Sequence, residues 1–356
     1  LINGAAIPGM PNAHSHAFQR AMAGLAERRT QGADTFWSWR EVMYRLAERI
    51  TPDCLNAIAA QVYVDMLKAG YTSVCEFHYL HNQPDGRAYE DPLATCQSII
   101  DAAGSAGIAP TLLPTLYQTS DFGGAPPAAV QKRFVLDSDR FLALLARLRP
   151  TPQHANHMEV GIAFHSLRAV PPEALREVLA AQARAKTIHI HIAEQEREVS
   201  GCVAQLGCRP IAWLADEIGI DARWCLVHAT HASSEELDAI ARSGAVVALC
   251  PTTEANLGDG IFPSQSYFKA GGAFAIGSDS HISLSPCVEL GWLENQARLA
   301  RRARNVLVPG DSSSLGASLW KRACTGGARV SARRIGALDT GCPAAIVVLD
   351  TNSPSF

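Results

Sequence analysis

No stretch of this chain stays apolar long enough to span a bilayer, and 18% charged residues with a mean hydropathy of +0.02 describe a soluble enzyme or binding protein. A dominant charge is also missing. The 31 basic and 34 acidic residues leave a net charge of -3, which excludes a global field for nucleic acid or an anionic membrane. Ten cysteines are scattered without a CxxC pair, and several sit in apolar runs such as SVCEF, WCLVH and VALCP. They read as buried free thiols of a reducing compartment, and LINGAAIPGM carries no signal peptide, so the expected location is cytoplasmic. Nucleotide and protease signatures are absent too: no GxGxxG follows a first strand, and GxxxxGK[ST], HExxH and a GxSxG elbow do not occur.

What the chain does have is alternation. Apolar runs at 5–9, 71–77, 108–117, 158–166, 187–193, 224–229, 245–251 and 273–279 read as eight strands. Amphipathic stretches at 52–69, 91–106, 137–149, 172–185, 209–219, 234–243 and, more weakly, 264–271 lie between them. Strand and crossover helix repeated in this way indicate an α/β fold with a parallel sheet. Eight units with polar residues at successive strand ends favour a closed (β/α)8 TIM-like barrel over an open sheet, and 356 residues accommodate it.

The expected division is residues 1–8 entering a small β domain, 9–306 forming the barrel, and 307–356 giving a linker, a helix and the C-terminal part of that β domain. Both ends look abrupt, so the β domain reads as truncated. The loops 118–136 and 251–264 are long enough to cover a barrel mouth.

In TIHIHIAE the isoleucines alternate with His189 and His191, which puts both imidazoles inside the barrel. His191 stands at the strand end, three residues before Glu194. Other strand ends supply His14 and His16, His228, and Asp279. Four imidazoles and a carboxylate buried together without an ion would leave ring nitrogens unpaired, and a divalent cation removes that cost. Nitrogen ligands with one carboxylate suit zinc with an open water position, although iron and manganese accept the same donors. Spacing leaves open which of the five groups stands off the metal. The fourth strand end, GIAFHSLRAV, has no lysine to bridge two ions, which favours one metal, with His165 in a hydrogen-bonding role beneath it. Cys75 with His78 is a nucleophile pair only if both face one pocket. His81 and His231 read as loop or surface residues and RRARN as a solvated face, while Phe36, Trp37 and Trp39 beside Arg40 fit a lid that excludes water or, as the preferred reading, core packing or a contact between subunits of a homodimer.

The set as a whole resembles the amidohydrolase superfamily in its mononuclear deaminase branch. PNAHSHAFQRAMAGLAE, TFWSWREVMYRLAERI, LKAGYTSVCEFHYLH, FHSLRAV, HIHIAEQEREV, RWCLVHATH, TEANLGDGIFP and IGSDSHISLS are similar to the bacterial N-formimino-L-glutamate deiminases of histidine breakdown, over about residues 1–300. The resemblance implies a metal held by His14, His16, His191 and Asp279, with Glu194 as proton carrier and His228 as an imidazole beside the metal. It places Gln19, Arg40, Tyr79 and Arg168 around the substrate, a small dicarboxylate amidine. The implied reaction is attack of a metal-activated water on the formimino carbon, giving N-formyl-L-glutamate and ammonia. Another aminohydrolase of the same barrel, acting on a nucleobase, a triazine or a different amidine, remains the alternative, as does an inactive metal-binding barrel.

Overall fold

Gly9 separates two strands that belong to different sheets. The strand β1 (Ala5–Pro8) pairs antiparallel with β11 (Ile346–Leu349), whereas β2 (Met10–Ser15) pairs parallel with β3 (Tyr71–His78). The run at 5–9, read from hydrophobicity as the first barrel strand, therefore lies mostly in the small sheet. The true first strand, MPNAHS, is polar in composition yet buried at all six positions, so hydropathy hides it. The computed structural model describes residues 4–29, 34–148, 158–310 and 312–353. Residues 1–3 and 354–356 of the expected β domain, and residue 149 of the expected helix 137–149, lie outside the described residues.

Parallel pairing continues in chain order through β4 (Ala109–Leu116), β5 (Glu159–Val160), β6 (Ile162–Phe164), β7 (Ile188–Ile192), β8 (Trp224–His228), β9 (Val246–Leu249) and β10 (Ala273–Ile276). β5 and β6 are one strand position, broken at Gly161. The sheet closes where Asp279 N donates to His14 O at 3.0 Å and His16 N donates to Asp279 O at 3.2 Å. That closure gives eight strand positions and a TIM-type barrel. It also brings the first and last strand ends together at the mouth.

The helices are α1 (Phe36–Ala47), α2 (Pro52–Ala69), α3 (Ala94–Ala106), α4 (Ser138–Arg147), α5 (Pro172–Ala181), α6 (Glu196–Leu206), α7 (Pro210–Trp213), α8 (Ser234–Ser243), α9 (Pro251–Leu257), α10 (Ser264–Lys269), α11 (Pro286–Arg301) and α12 (Leu315–Val330). Sequence signals for their ends are clear where they were expected. Thr51 caps α2 ahead of Pro52, Gly70 ends it with φ +106°, and Ser233 with Glu236 forms a capping box for α8. Four helices go beyond the sequence reading: α1, α6, α9 and α11. The stretch 251–264 is thus no open loop, because α9 begins it with Pro251 to Glu254 all buried.

The helix α12 packs against β2, β9 and β10 beneath the barrel, although its sequence position grouped it with the chain end. Its last turn plugs the bottom. Val330 O accepts from Thr187 Oγ1 at 2.7 Å and from His189 Nε2 at 2.9 Å, and Ser331 O accepts from Thr111 Oγ1 at 2.8 Å. His189 therefore spends its Nε2 on the barrel floor, away from the site, while its Nδ1 is buried without a partner among the described residues. All ten cysteines are unpaired; six are buried, whereas Cys54 and Cys287 are exposed. Among the described residues no helix is long and apolar enough to cross a membrane.

Candidate active site

At the carboxyl ends of the strands three imidazole nitrogens converge. His14 Nε2 lies 3.1 Å from His16 Nε2 and 3.0 Å from His191 Nε2, and the last two are 3.3 Å apart. His16 Nδ1 donates to Phe77 O, and His191 Nδ1 donates to His165 O, both at 2.9 Å. A neutral imidazole with its proton on Nδ1 has only a lone pair on Nε2. Lone pairs cannot hydrogen-bond one another, so His16 and His191 call for a cation between them, and His14, with no partner on Nδ1 among the described residues, can carry its proton there and turn a third lone pair inward. Burial keeps all three rings neutral: it drives His14 and His191 well below the usual histidine value, and His16 to about 3.

Asp279 completes the donor set. Its Oδ1 stands 3.6 Å from His14 Nε2 and 3.5 Å from His16 Nε2, and burial pushes its carboxyl up to about 6 although His228 opposes this. The turn after β10 holds Asp279 at φ +46°, a left-handed conformation that an aspartate tolerates better than most residues. Three neutral imidazoles and a carboxylate suit a divalent metal. Phe77 forms the apolar floor, with ring centroids 5.1, 5.3 and 4.4 Å from His14, His16 and His191. Glu76 fixes the HSH turn by accepting from Ser15 Oγ and Ala17 N, both at 2.7 Å. Another grouping, His78, His81 and Cys96, is closed off behind β3, with one ring nitrogen each of His78 and His81 bonded to Thr95 and Thr115.

His228 lies beside the donor set, its Nε2 3.7 Å from both Glu194 Oε1 and Asp279 Oδ2. Its Nδ1 faces Glu254 Oε1 at 3.2 Å. Burial disfavours a charge on this ring, but Glu194, Glu254 and Asp279 together outweigh it and push His228 up to about 10. Burial, with Asp279 adding to it, raises Glu194 to about 7 against the opposing pull of His228. Glu198 holds the Glu194 segment from α6, its two oxygens accepting from Ala193 N and Glu194 N at 3.1 Å each.

The pocket above this cluster is lined by Gln19, Arg40, Tyr79, Arg168 and Glu194 among others, so each of the four residues that the resemblance places around the substrate reaches it. Gln19 Nε2 donates to Tyr79 OH at 2.9 Å, while Gln19 Oε1 is buried without a partner. Arg168 Nε is likewise buried and unpaired, although Arg168 Nη1 donates to Ser120 O at 3.3 Å. Neither Arg40 nor Arg168 forms an ion pair among the described residues. Trp37 lies under Arg40 at 4.5 Å and Arg197 at 4.3 Å, and Phe36 and Trp39 line the pocket, as the water-excluding reading of these aromatics expects, while Trp39 also packs against the core. His165 contributes its carbonyl, as above, and its ring lines the pocket. His81, expected at the surface, is buried and donates to Thr115 O at 2.9 Å, whereas His231 is half-buried and bonded to Asp259 O. Residues 301–305 are exposed, the solvated face that RRARN suggests.

Glu254, Glu198, Glu76 and Phe77 escaped the sequence reading. Only Glu254 had a usable local signal, since CPTTEANL puts a proline at a helix start and a glutamate on its first turn.

The amidohydrolase family model matches residues 5–355. The chain belongs to the amidohydrolase family. This amidohydrolase is 52% identical over 353 residues to formimidoylglutamate deiminase of Pseudomonas aeruginosa, covering 99% of this chain and 78% of that protein. It is 28% identical to a 5-methylthioadenosine/S-adenosylhomocysteine deaminase of Haloarcula marismortui, over 99% of this chain and 74% of that one. Among solved structures it is similar to an amidohydrolase from Brucella melitensis, with TM-score 0.92, 46% identity, and coverage of 96% of this chain and 76% of the other. As an amidohydrolase the chain is an enzyme, and its histidine cluster corresponds to the divalent-metal chemistry of the family.

Proposed function

We propose that this amidohydrolase hydrolyses N-formimino-L-glutamate to N-formyl-L-glutamate and ammonia, with one zinc ion per chain. The observation that carries the reading is a single pocket containing both converged imidazoles and two arginines, Arg40 and Arg168, that form no ion pair with a carboxylate among the described residues. A dicarboxylate amidine supplies what each half lacks. The 52% identity to a formimidoylglutamate deiminase supports the same substrate.

A zinc ion on His14, His16, His191 and Asp279 supplies Lewis-acid activation of a water. The protein does the rest. Arg168, through its unpaired Nε, and Arg40 grip the substrate carboxylates by charge-assisted hydrogen bonds. Tyr79 accepts from Gln19, which leaves its own O–H free to donate to a carboxylate oxygen, and the unpaired Gln19 Oε1 accepts an N–H of the amidine. Glu194 takes a proton from the attacking water and delivers it to the imino nitrogen, a role suited to a carboxyl raised to about 7. Cationic His228, opposite Glu194 and Asp279, stabilises the negative charge that develops on the oxygen. Glu194 then passes the remaining hydroxyl proton of the tetrahedral carbon to the same nitrogen, the C=O bond forms as the C–N bond breaks, and ammonia leaves.

The deciding experiment measures ammonia release from formiminoglutamate, formiminoaspartate, adenine and guanine nucleosides, and a triazine. Turnover on formiminoglutamate exceeding all others is expected. Activity confined to the ring substrates would replace the reading with that of another aminohydrolase.

A further inference from the structure

The ring of His228 is set by a contact on the side away from the pocket. His228 ends β8 with φ +68° and Ala229 follows at φ +51°, so two consecutive non-glycine residues adopt a left-handed backbone that side chains disfavour. The bend turns the imidazole into the mouth, where it is 1% exposed. On the pocket side Nε2 stands 3.7 Å from Glu194 Oε1 and from Asp279 Oδ2, beyond hydrogen-bond length. The one hydrogen bond the described residues give the ring is on the other side, from Nδ1 to Glu254 Oε1 at 3.2 Å.

That oxygen is itself fixed. Glu254 Oε1 also accepts from Cys250 N at 2.9 Å, and Glu254 N donates back to Cys250 O at 2.9 Å, so its side chain and its backbone are both tied to one residue, the cap of α9. The same turn is fastened from α11, where Glu289 accepts from Thr252 N at 2.9 Å and from Thr252 Oγ1 at 2.5 Å. Glu254 is 2% exposed and does not line the pocket. Of its hydrogen-bond partners among the described residues, the one that lines the pocket is His228.

We propose that Glu254 is a positioning residue for the deimination: it holds His228 with Nδ1 as the donor and so presents Nε2 to the reacting water and to Glu194. An imidazole ring can rotate about its bond to Cβ, and a fixed acceptor on Nδ1 holds that rotation with Nε2 directed into the pocket. The inference rests on the deimination reading for its role in turnover. The hydrogen bond itself does not depend on that reading.

Two variants separate position from charge. In Glu254→Gln the amide oxygen is held in place by Cys250 N–H and still accepts from Nδ1, while the charge is gone. In Glu254→Asp the charge stays but the oxygen withdraws by one methylene. Both are made in the zinc-loaded enzyme, with thermal midpoint and metal content measured, and the His228 Nδ1–H resonance followed by nitrogen-15 NMR and assigned by its loss in His228→Asn. Glu254→Gln is expected to keep the resonance and a kcat within about fivefold of the parent. Glu254→Asp is expected to lose the resonance and about 10- to 100-fold in kcat, with KM and metal content unchanged. The proposal is overturned if Glu254→Asp keeps the resonance and the parent kcat, if Glu254→Gln is the more damaged of the two, or if the loss follows metal content. A parent without turnover on formiminoglutamate sinks the functional reading instead, and the resonance still decides whether Glu254 holds the ring.

Discussion

His16 and His191 present their Nε2 atoms to one another at 3.3 Å while each spends its Nδ1–H on a backbone carbonyl, Phe77 O for the first and His165 O for the second. The two carbonyls thus fix the tautomer of each of these two imidazoles. A ligand that binds the folded state alone stabilises it by mass action, by about 4 kcal/mol at a thousandfold excess over its Kd. Chelation is expected to remove one equivalent of zinc per chain and to lower the thermal midpoint, and His16→Ala to abolish that equivalent. Equal midpoints for loaded and chelated protein by calorimetry would contradict the assignment.

Arg168 should matter to substrate and not to metal. Its unpaired Nε faces the pocket, and a hydrogen bond to a charged partner contributes about 1.5–3 kcal/mol. Arg168→Met is expected to raise KM for formiminoglutamate by about 10- to 100-fold with zinc content unchanged. Steady-state kinetics beside metal analysis checks this, and metal loss in the variant would place the residue wrongly.

Glu198 grips two successive amides, Ala193 N and Glu194 N, next to Ala193 at φ +51°. In Glu198→Gln one of those N–H groups faces an NH2 instead of an acceptor, at a cost of about 1–3 kcal/mol. We expect kcat to fall about tenfold through misplacement of Glu194, with KM nearly constant. Unchanged kcat in a folded variant would remove Glu198 from the machinery.

Glu289 predicts a stability slope. Burial pushes it up to about 8 from an ordinary 4.5, although hydrogen bonds from Thr252 act in the opposite direction. With the folded-state value raised, its contribution is fully present below pH about 4.5 and is lost as pH rises to about 8, at up to about 1.4 kcal/mol per pH unit. Glu289→Gln keeps an acceptor for Thr252 N and removes the proton linkage. Its thermal midpoint should therefore fall less than the parent's between pH 5 and about 8; parallel curves would count against the buried protonated carboxyl.

The plug under the barrel is equally testable. A Cβ built on Gly326 would lie 2.0 Å from Phe274 O, a backbone atom that cannot rotate away. Gly326→Ala is expected to cost about 1–3 kcal/mol in denaturant unfolding, the usual range for overpacking, and KM should not change. Parent-like stability would show that α12 does not press on β10.

How far the sequence reaches can be judged residue by residue. Period two in TIHIHIAE and the run of strand and helix signals determine the α/β alternation, because side-chain direction in a strand is a local property. The HSH pair, His191, His228 and Asp279 were legible as a set because imidazoles buried side by side need a cation to satisfy their ring nitrogens. Tertiary structure alone decided that MPNAHS, and not AAIP, is the first barrel strand: pairing with β3 buries a polar segment that hydropathy rejects. It alone showed that His189 answers Val330 O while His191, two residues on, meets the Nε2 atom of His14. The carboxylates that hold the site, Glu76, Glu198 and Glu254, were invisible for a related reason. A hydrogen bond between residues far apart in the chain, such as Ser15 Oγ to Glu76 at 61 positions or His228 Nδ1 to Glu254 at 26, leaves no periodic mark. Local chemistry specifies which groups can react, and only closure of the barrel specifies which of them meet.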